Sequence, residues 1–224
     1  MPVSGDVGSR AATDALLGIL RAGRWSPRAV ACFFASAAGR SVRQAARRPR
    51  ALAQITALHG AVLTLAGGQR RGWVAASWTL SVLHLGMLED RDRLSVADAL
   101  TLLRGNLPAL AAGSGRWAGV VAIASDLADG ALARRQGTVS RFGDYADSLA
   151  DAAFWTWLVL AHDPSRTVRS AAITTWVAPA VAVTAVSLAR GQMTERPRPA
   201  LLRPAATMQA IVAVRHLLRV PPGR

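Results

Sequence analysis

Seven long apolar stretches follow one another along the chain after residue 50. They cover approximately 51–67, 73–88, 97–113, 116–133, 144–162, 170–189 and 204–218. Short polar breaks separate them, and two of these breaks are the charged runs 89–93 and 190–204. Apolar runs of this length are typical of helices rather than strands. The pattern therefore predicts an all-α protein.

Some of these stretches carry no polar face at all. The segment 171–188 contains no charged residue, whereas a helix on a soluble protein shows polar residues opposite its apolar stripe. Trp73, Trp117 and Trp176 lie near the ends of stretches or in their outer turns, where aromatic residues often anchor helices at a membrane interface. Several stretches approach the length of about 20 residues that a spanning helix needs. We therefore expect a polytopic transmembrane helical bundle with six to seven spanning helices.

The first 50 residues differ from the rest of the chain. They hold nine arginines against Asp6 and Asp14, and their apolar stretches at 12–20 and 29–38 are too short to span a membrane. We expect residues 1–50 to form a basic cytoplasmic or interfacial segment without a cleavable signal peptide. An additional transmembrane hairpin at 51–96 and a core at 97–218 follow it.

The charge of the chain calls for an anionic partner. The 224 residues carry a net charge of +14 while 51% are hydrophobic, and every basic residue is an arginine. Nucleic acid and anionic lipid are the candidates. The arginine-rich segments 40–50 and 190–203 flank spanning stretches, so we expect membrane lipids and no nucleic acid. The lone Cys32 excludes an internal disulfide.

The distribution of arginine predicts an orientation. Short loops rich in arginine stay on the cytoplasmic side of a membrane. Counting from a cytoplasmic N-terminal segment, the same side receives Arg91, Arg93, Arg134, Arg135, Arg141, Arg190, Arg196, Arg198 and Arg203. Arg70 and Arg71 fall on the opposite side and weaken the bias without reversing it.

Five of the eleven aspartates fall between residues 126 and 151, beside or inside apolar stretches. A carboxylate in such a place costs several kcal/mol unless it is paired or binds a cation. The same window offers only Arg134, Arg135 and Arg141 as partners. Metal ions would supply the missing positive charge.

Helical spacing groups these carboxylates into two faces. Asp126 and Asp129 share one face with Gly130 and Ala133, about 100° per residue being the helical step. Gly143, Asp144, Asp147 and Asp151 share a face of the next helix. Hard oxygen ligands favour Mg²⁺ or Mn²⁺, completed by substrate phosphates. Two facing carboxylate pairs indicate a site for two metal ions that clamp a diphosphate.

These residues form a recognisable signature. Asp126-x-x-Asp129-Gly130-x-x-Ala133-Arg134, eight residues, and then Gly143-x-x-x-Asp147-x-x-x-Asp151 resembles the motif of the CDP-alcohol phosphotransferase family at all eight positions. The resemblance implies an integral membrane enzyme that moves a substituted phosphate from a CDP-linked donor to a hydroxyl acceptor and releases CMP.

The resemblance also implies a role for each motif position. The metal ligands would be Asp126, Asp129, Asp147 and Asp151. Asp151 would in addition be the catalytic base that takes the proton of the acceptor hydroxyl. The residues that border the CDP group would be Gly130, Ala133, Arg134 and Gly143. A guanidinium such as that of Arg134 binds phosphate bidentately, which agrees with this assignment.

A weaker match precedes the signature. Leu100-Thr101-Leu102-Leu103-Arg104 resembles the start of the family's first core helix, but Ala97 and Asp98 stand where that helix usually has Pro-Asn. Thr101 and Arg104 would line the cytidine or acceptor region, although Arg104 is equally explained as a helix-end arginine that reaches lipid phosphates. The chain has two stretches after the signature and an extra hairpin before it, which we expect to replace the family's last helix.

Two other classes of function remain open. A metal-dependent membrane phosphohydrolase or prenyl-diphosphate enzyme also uses aspartates and Mg²⁺, but the chain lacks Asp-Asp-x-x-Asp. A non-catalytic membrane protein is the other alternative. The signature fits several acceptor alcohols. A phosphorylated acceptor would need an extra cation near the metal ions, which Arg141, Arg190 or Arg196 would supply. The resemblance also implies a homodimer, which we place in the bacterial inner membrane with the active site towards the cytoplasm.

Overall fold

The described part of the chain is built of helices and short connections. The computed structural model describes residues 9–68, 70–110, 115–192 and 203–219, and no strand occurs within these ranges. The helices are α1 (Ser9–Ala22), α2 (Pro27–Ala46), α3 (Pro49–Leu65), α4 (Arg71–Leu83), α5 (Val96–Asn106), α6 (Ala118–Gln136), α7 (Arg141–His162), α8 (Arg166–Arg190) and α9 (Arg203–Arg219), with 3-10 turns at Leu85–Leu88 and Leu107–Ala109. The predicted all-α fold is therefore confirmed.

The N-terminal segment forms a helical hairpin. The side chain of Ser26 accepts a hydrogen bond from the backbone N–H of Ala29 and so begins α2. The two helices meet closely, because a Cβ added at Gly23 would overlap the Cβ of Ala29. Arg21 at the end of α1 donates to the backbone carbonyl of Arg190, which places α1 beside the C-terminal end of α8.

The α3–α4 hairpin packs against α5. Its turn uses positive φ angles at Gly67, Gly68 and Arg70. Across the hairpin, Nε2 of the buried His59 lies 2.9 Å from Oγ of Ser77. The Trp73 indole donates to the backbone carbonyl of Gly105 in α5. The hairpin thus lies against the core, and its replacement of a missing family helix stays a prediction.

Small residues bring the core helices together. At the α5–α7 crossing, a Cβ on Gly105 would lie 3.2 Å from the Cβ of Ala150. At the α6–α9 crossing, a Cβ on Gly119 would lie 2.9 Å from both Cα and Cβ of Ala213. Phe154, Trp155 and neighbouring apolar side chains fill the space between α6, α7, α8 and α9. These crossings fix how the polar faces of α5, α6 and α7 meet.

One helix in the described ranges is long and apolar enough to span a membrane. It is Arg166–Arg190. Only 12% of its most apolar 18-residue segment is buried, whereas the core helix of a soluble protein is mostly buried. The helices α6 and α7 reach the required length but carry the charged residues of the signature. The predicted stretch 97–113 is shorter than expected as a helix, because α5 ends at Asn106 before Pro108. At 11 residues, α5 is roughly 16 Å long.

Candidate active site

The helix α5 supplies the base of the site. Its first turn is closed by a capping box, in which Ser95 Oγ accepts from the N–H of Asp98 and the Asp98 carboxylate accepts from the N–H of Ser95. Arg91 also contacts the Asp98 carboxylate, at 3.1 Å. Asp98 therefore has a structural role at the start of the helix. This role accounts for an acidic residue at the position without any contact to a nucleotide. The cap sets the register that turns Thr101 and Arg104 towards α6 and α7.

Four aspartates from two helices surround one arginine. The Arg104 guanidinium lies 2.8 Å from Oδ2 of Asp129 and 3.2 Å from Oδ1 of Asp126, both on α6. On α7 it contacts Oδ1 of Asp147, and its Nε lies 3.2 Å from Oδ1 of Asp151. The predicted carboxylate faces of α6 and α7 therefore do face each other, with α5 between them.

Two neutral side chains orient the less exposed carboxylates. Thr101 Oγ1 donates to Oδ2 of Asp129 at 2.7 Å. Gln209 on α9 donates to Oδ2 of Asp151 at 3.1 Å. The sequence interpretation did not include Gln209, although an amide within the apolar run 205–214 was a signal that could have identified it.

Three of the four carboxylates around Arg104 form part of the wall of a cavity of about 550 Å³. Seven of the eight signature positions line it, and the eighth, Asp151, is not among the lining residues. Thr101 lines the cavity, while Arg104 lies behind the wall with a fully buried side chain. Of the side chains that reach the cavity, Asp126 and Asp147 are 42% and 44% exposed, and Asp129 is 7% exposed.

Two signature glycines, Gly130 and Gly143, lie where an added side chain would meet polar groups beside the cavity. A Cβ on Gly143 would lie 3.0 Å from Oδ1 of Asp98, so a larger residue would press on the α5 cap. A Cβ on Gly130 would lie 3.2 Å from Nη1 of Arg134, because the arginine folds back over the glycine on the helix surface. The small residues thus leave room for a bulky ligand beside the guanidinium of Arg134.

The oxygen atoms in this wall fit a divalent cation. One carboxylate oxygen each from Asp126, Asp129 and Asp147 lies within 4.8 Å of the other two. Hard carboxylate oxygens are the ligands that Mg²⁺ and Mn²⁺ prefer. With all four aspartates ionised, Arg104 neutralises only one of the four negative charges in the cluster. These carboxylates can therefore hold cations, and their excess negative charge favours cation binding.

The comparison with protein families decides the classification. The family model for CDP-alcohol phosphatidyltransferase matches residues 94–220, which is more than half of the chain. The chain belongs to the CDP-alcohol phosphatidyltransferase family. No curated protein and no solved structure matches the chain. The predicted family is confirmed, and with it an enzyme of the general kind that transfers phosphate-linked groups from a CDP-alcohol.

The matched region contains the whole aspartate cluster. It begins at residue 94, just before the cap of α5, and extends beyond Arg219 at the end of α9. Members of the CDP-alcohol phosphatidyltransferase family are integral membrane enzymes that depend on divalent metals. Of the arginines predicted to assist a phosphorylated acceptor, Arg141 lies 3.3 Å from Glu89, while Arg196, like Arg198, lies outside the described residues.

Proposed function

We propose that this CDP-alcohol phosphatidyltransferase transfers a phosphatidyl group from a CDP-linked lipid, such as CDP-diacylglycerol, to the hydroxyl of an acceptor alcohol and releases CMP. The observation that carries the proposal is that seven of the eight signature residues line one cavity of about 550 Å³, while the eighth, Asp151, contacts the same arginine as the aspartates of the cavity wall. That cavity joins an acidic wall, small residues and an arginine, which is the combination a metal-bound diphosphate requires.

The residues divide the reaction between them. Asp126, Asp129 and Asp147 would hold Mg²⁺ or Mn²⁺, with Asp151 completing a site for two ions. The ions would neutralise the diphosphate charge that opposes attack by a nucleophile. Arg134 would bind a phosphate of the donor, and Gly130, Ala133 and Gly143 leave space for the CDP group.

Asp151 would act as the general base. Its carboxylate accepts a hydrogen bond from Gln209 at Oδ2, and its Oδ1 lies 3.2 Å from the positively charged Arg104. The acceptor oxygen bonds to the phosphorus that carries the diacylglycerol, the bond from that phosphorus to the CMP oxygen breaks, and Asp151 takes the hydroxyl proton. A carboxylate held in one rotamer near the acceptor performs this transfer without reorganising.

The proposal places the enzyme in a membrane. We infer an integral protein with six to seven spanning helices, a basic segment at 1–50, a hairpin at 51–96 and a core at 97–218. The arginine bias supports a cytoplasmic active site, since Arg91 and Arg134 lie at the same end of the bundle as the cavity. A bacterial inner membrane, membrane lipids as partners, no nucleic acid and a homodimer complete the proposal.

CMP release tests the function. Purified protein in lipid or detergent is incubated with CDP-diacylglycerol, Mg²⁺ and a panel of alcohols that includes glycerol 3-phosphate, an inositol phosphate and serine. We expect CMP with one acceptor and none with Asp151→Asn or with EDTA. Asp92→Asn is the matched control, because Asp92 pairs with Arg50 in an exposed loop outside the site and should retain activity.

Two outcomes would change the proposal. CMP released at the same rate without any alcohol would assign hydrolysis, the reaction of the phosphohydrolase alternative. No CMP with any acceptor, from protein shown to be folded by its thermal transition, would refute the phosphatidyl transfer proposed here.

A further inference from the structure

The most unusual feature of the site is a buried cation in its centre. The Arg104 side chain is completely buried, and its guanidinium contacts all four signature aspartates. A guanidinium keeps its proton at any physiological pH, so its positive charge is permanent. A buried charge is costly unless a group of opposite charge pairs with it, and this arginine has four carboxylates around it.

The same carboxylates are the candidate metal ligands. Asp126, Asp129 and Asp147 each contact Arg104 and also lie within 4.8 Å of one another. Any cation that binds these oxygens must therefore share them with a fixed positive charge. Without Arg104, four carboxylates from two helices would face each other with no opposing charge, and their repulsion would drive α6 and α7 apart.

We propose that Arg104 is an internal counter-cation that holds the carboxylate cluster together between turnovers and weakens the binding of divalent metal ions. This inference rests on the metal site of the proposed function. Arg104 acts through the carboxylates and does not need to touch the donor, so it is a positioning residue. Its location behind the cavity wall, outside the lining residues, agrees with this role.

The exposure of the four carboxylates indicates how they are shared between Arg104 and metal ions. Asp126 and Asp147 are the most exposed members and line the cavity from which an ion arrives. Asp151 is 26% exposed, does not line the cavity and is held by Gln209 as well as by Arg104. Metal ions would draw Asp126 and Asp147 away from the guanidinium, while Asp129 and Asp151 would be shared between the ions and the guanidinium.

The test measures metal binding and stability rather than turnover. The dissociation constant of Mn²⁺ is measured by electron paramagnetic resonance on protein in detergent, and thermal unfolding is recorded in EDTA and in saturating Mn²⁺. The variants are Arg104→Gln, which removes the charge, and Arg104→Lys, which keeps it. Arg48→Gln is the matched control, because Arg48 is a buried arginine held by Gln44 and by the carbonyl of Glu89, outside the site.

We expect Arg104→Gln to bind Mn²⁺ at least about tenfold more tightly than the native protein, because a positive charge beside the ion is gone. Its unfolding temperature should fall in EDTA and recover in Mn²⁺, so the metal-induced rise is larger than in the native protein. Arg104→Lys should bind Mn²⁺ within about threefold of the native value, because an ammonium group among four carboxylates keeps its positive charge. Arg48→Gln should lower the unfolding temperature and leave the metal-induced rise unchanged.

Three results would overturn the inference. Mn²⁺ affinity in Arg104→Gln equal to or weaker than native would make Arg104 a structural or substrate-binding residue. A gain in affinity of the same size in Arg104→Lys would show that the charge is not the cause. Absence of Mn²⁺ binding by native protein that still releases CMP would remove the metal site from the inference while leaving the transfer reaction standing. If Arg104→Gln is obtained folded only in Mn²⁺, that dependence supports the inference.

Discussion

Helices α6 and α9 approach each other closely at Gly119, and this contact allows a specific prediction. A methyl group there would lie 2.9 Å from Cα and Cβ of Ala213, whereas carbon atoms at optimal separation lie about 3.5–4.0 Å apart. Since one of the two atoms is backbone, no side-chain rotation relieves the clash. The variant Gly119→Ala must therefore separate the helices by roughly 0.6–1 Å.

Separation of α6 from α9 has an effect on stability and an effect on the site. Overpacking of this kind costs about 1–3 kcal/mol, against a gain of about 0.5–1 kcal/mol that alanine normally brings to a helix. The same movement lengthens the hydrogen bond that Gln209 on α9 donates to Asp151. Its donor–acceptor distance is 3.1 Å in the structure, and a hydrogen bond is lost beyond about 3.2–3.5 Å. We expect a lower unfolding temperature and a three- to tenfold loss of kcat, on the order of 1 kcal/mol in the barrier.

Two further variants make the prediction testable by thermal unfolding and CMP release. Gly60→Ala introduces the same methyl group on α3, where nothing lies within 4 Å of the new Cβ, and should raise stability slightly with unchanged activity. The double variant Gly119→Ala with Ala213→Gly should recover part of both losses, because the clash with the Ala213 side chain disappears while the clash with its backbone remains. Equal behaviour of Gly119→Ala and Gly60→Ala would refute the packing argument, and a loss of stability alone would refute the link to Gln209.

Other parts of the structure make simpler predictions. Gln209→Leu should lower kcat about 10- to 100-fold in the CMP assay, because Asp151 loses the donor that orients it. It should also lower the unfolding temperature, since a hydrogen bond to a charged group contributes roughly 1.5–3 kcal/mol to stability. An unchanged kcat would show that Asp151 does not need this donor. The Arg215 hydrogen bond holds the pKa of the Asp163 carboxyl well below its usual range, so Asp163 stabilises the fold above about pH 4 and loses this contribution as the pH falls towards its folded pKa. Asp163→Asn should therefore reduce stability at pH 7, and its deficit in unfolding temperature should shrink below pH 4; a deficit independent of pH would contradict the ion pair. Asp98→Ala keeps the Ser95 cap but removes the carboxylate that accepts from the N–H of Ser95 and pairs with Arg91, and should cost about 0.5–2 kcal/mol of stability, measured by denaturant or heat. A selective rise in KM for the CDP-linked donor would instead assign Asp98 to the nucleotide.

The local features of the fold could be predicted from the sequence because they depend on near neighbours. The predicted stretch 144–162 corresponds to α7 at Arg141–His162, and 116–133 corresponds to α6 at Ala118–Gln136. Residues three or four positions apart share a helix face, so the aspartates of α6 could be grouped before any tertiary contact was known. The same spacing predicted the family. The six to seven spanning helices are not confirmed, since one helix in the described ranges is long and apolar enough to span a membrane, and α6 and α7 carry the charged signature residues.

What the sequence determined by itself was the all-helical fold, the family and the two carboxylate faces, since each is a property of residues within a few turns of one another. Only the tertiary structure decided that Arg104 lies among all four aspartates and that Gln209 reaches Asp151 across 58 residues of chain. Both interactions depend on how helices cross, and the crossings depend on pairs such as Gly105 with Ala150 that are distant in sequence. Periodicity describes the face of one helix, whereas the identity of the facing helix is fixed by packing in three dimensions.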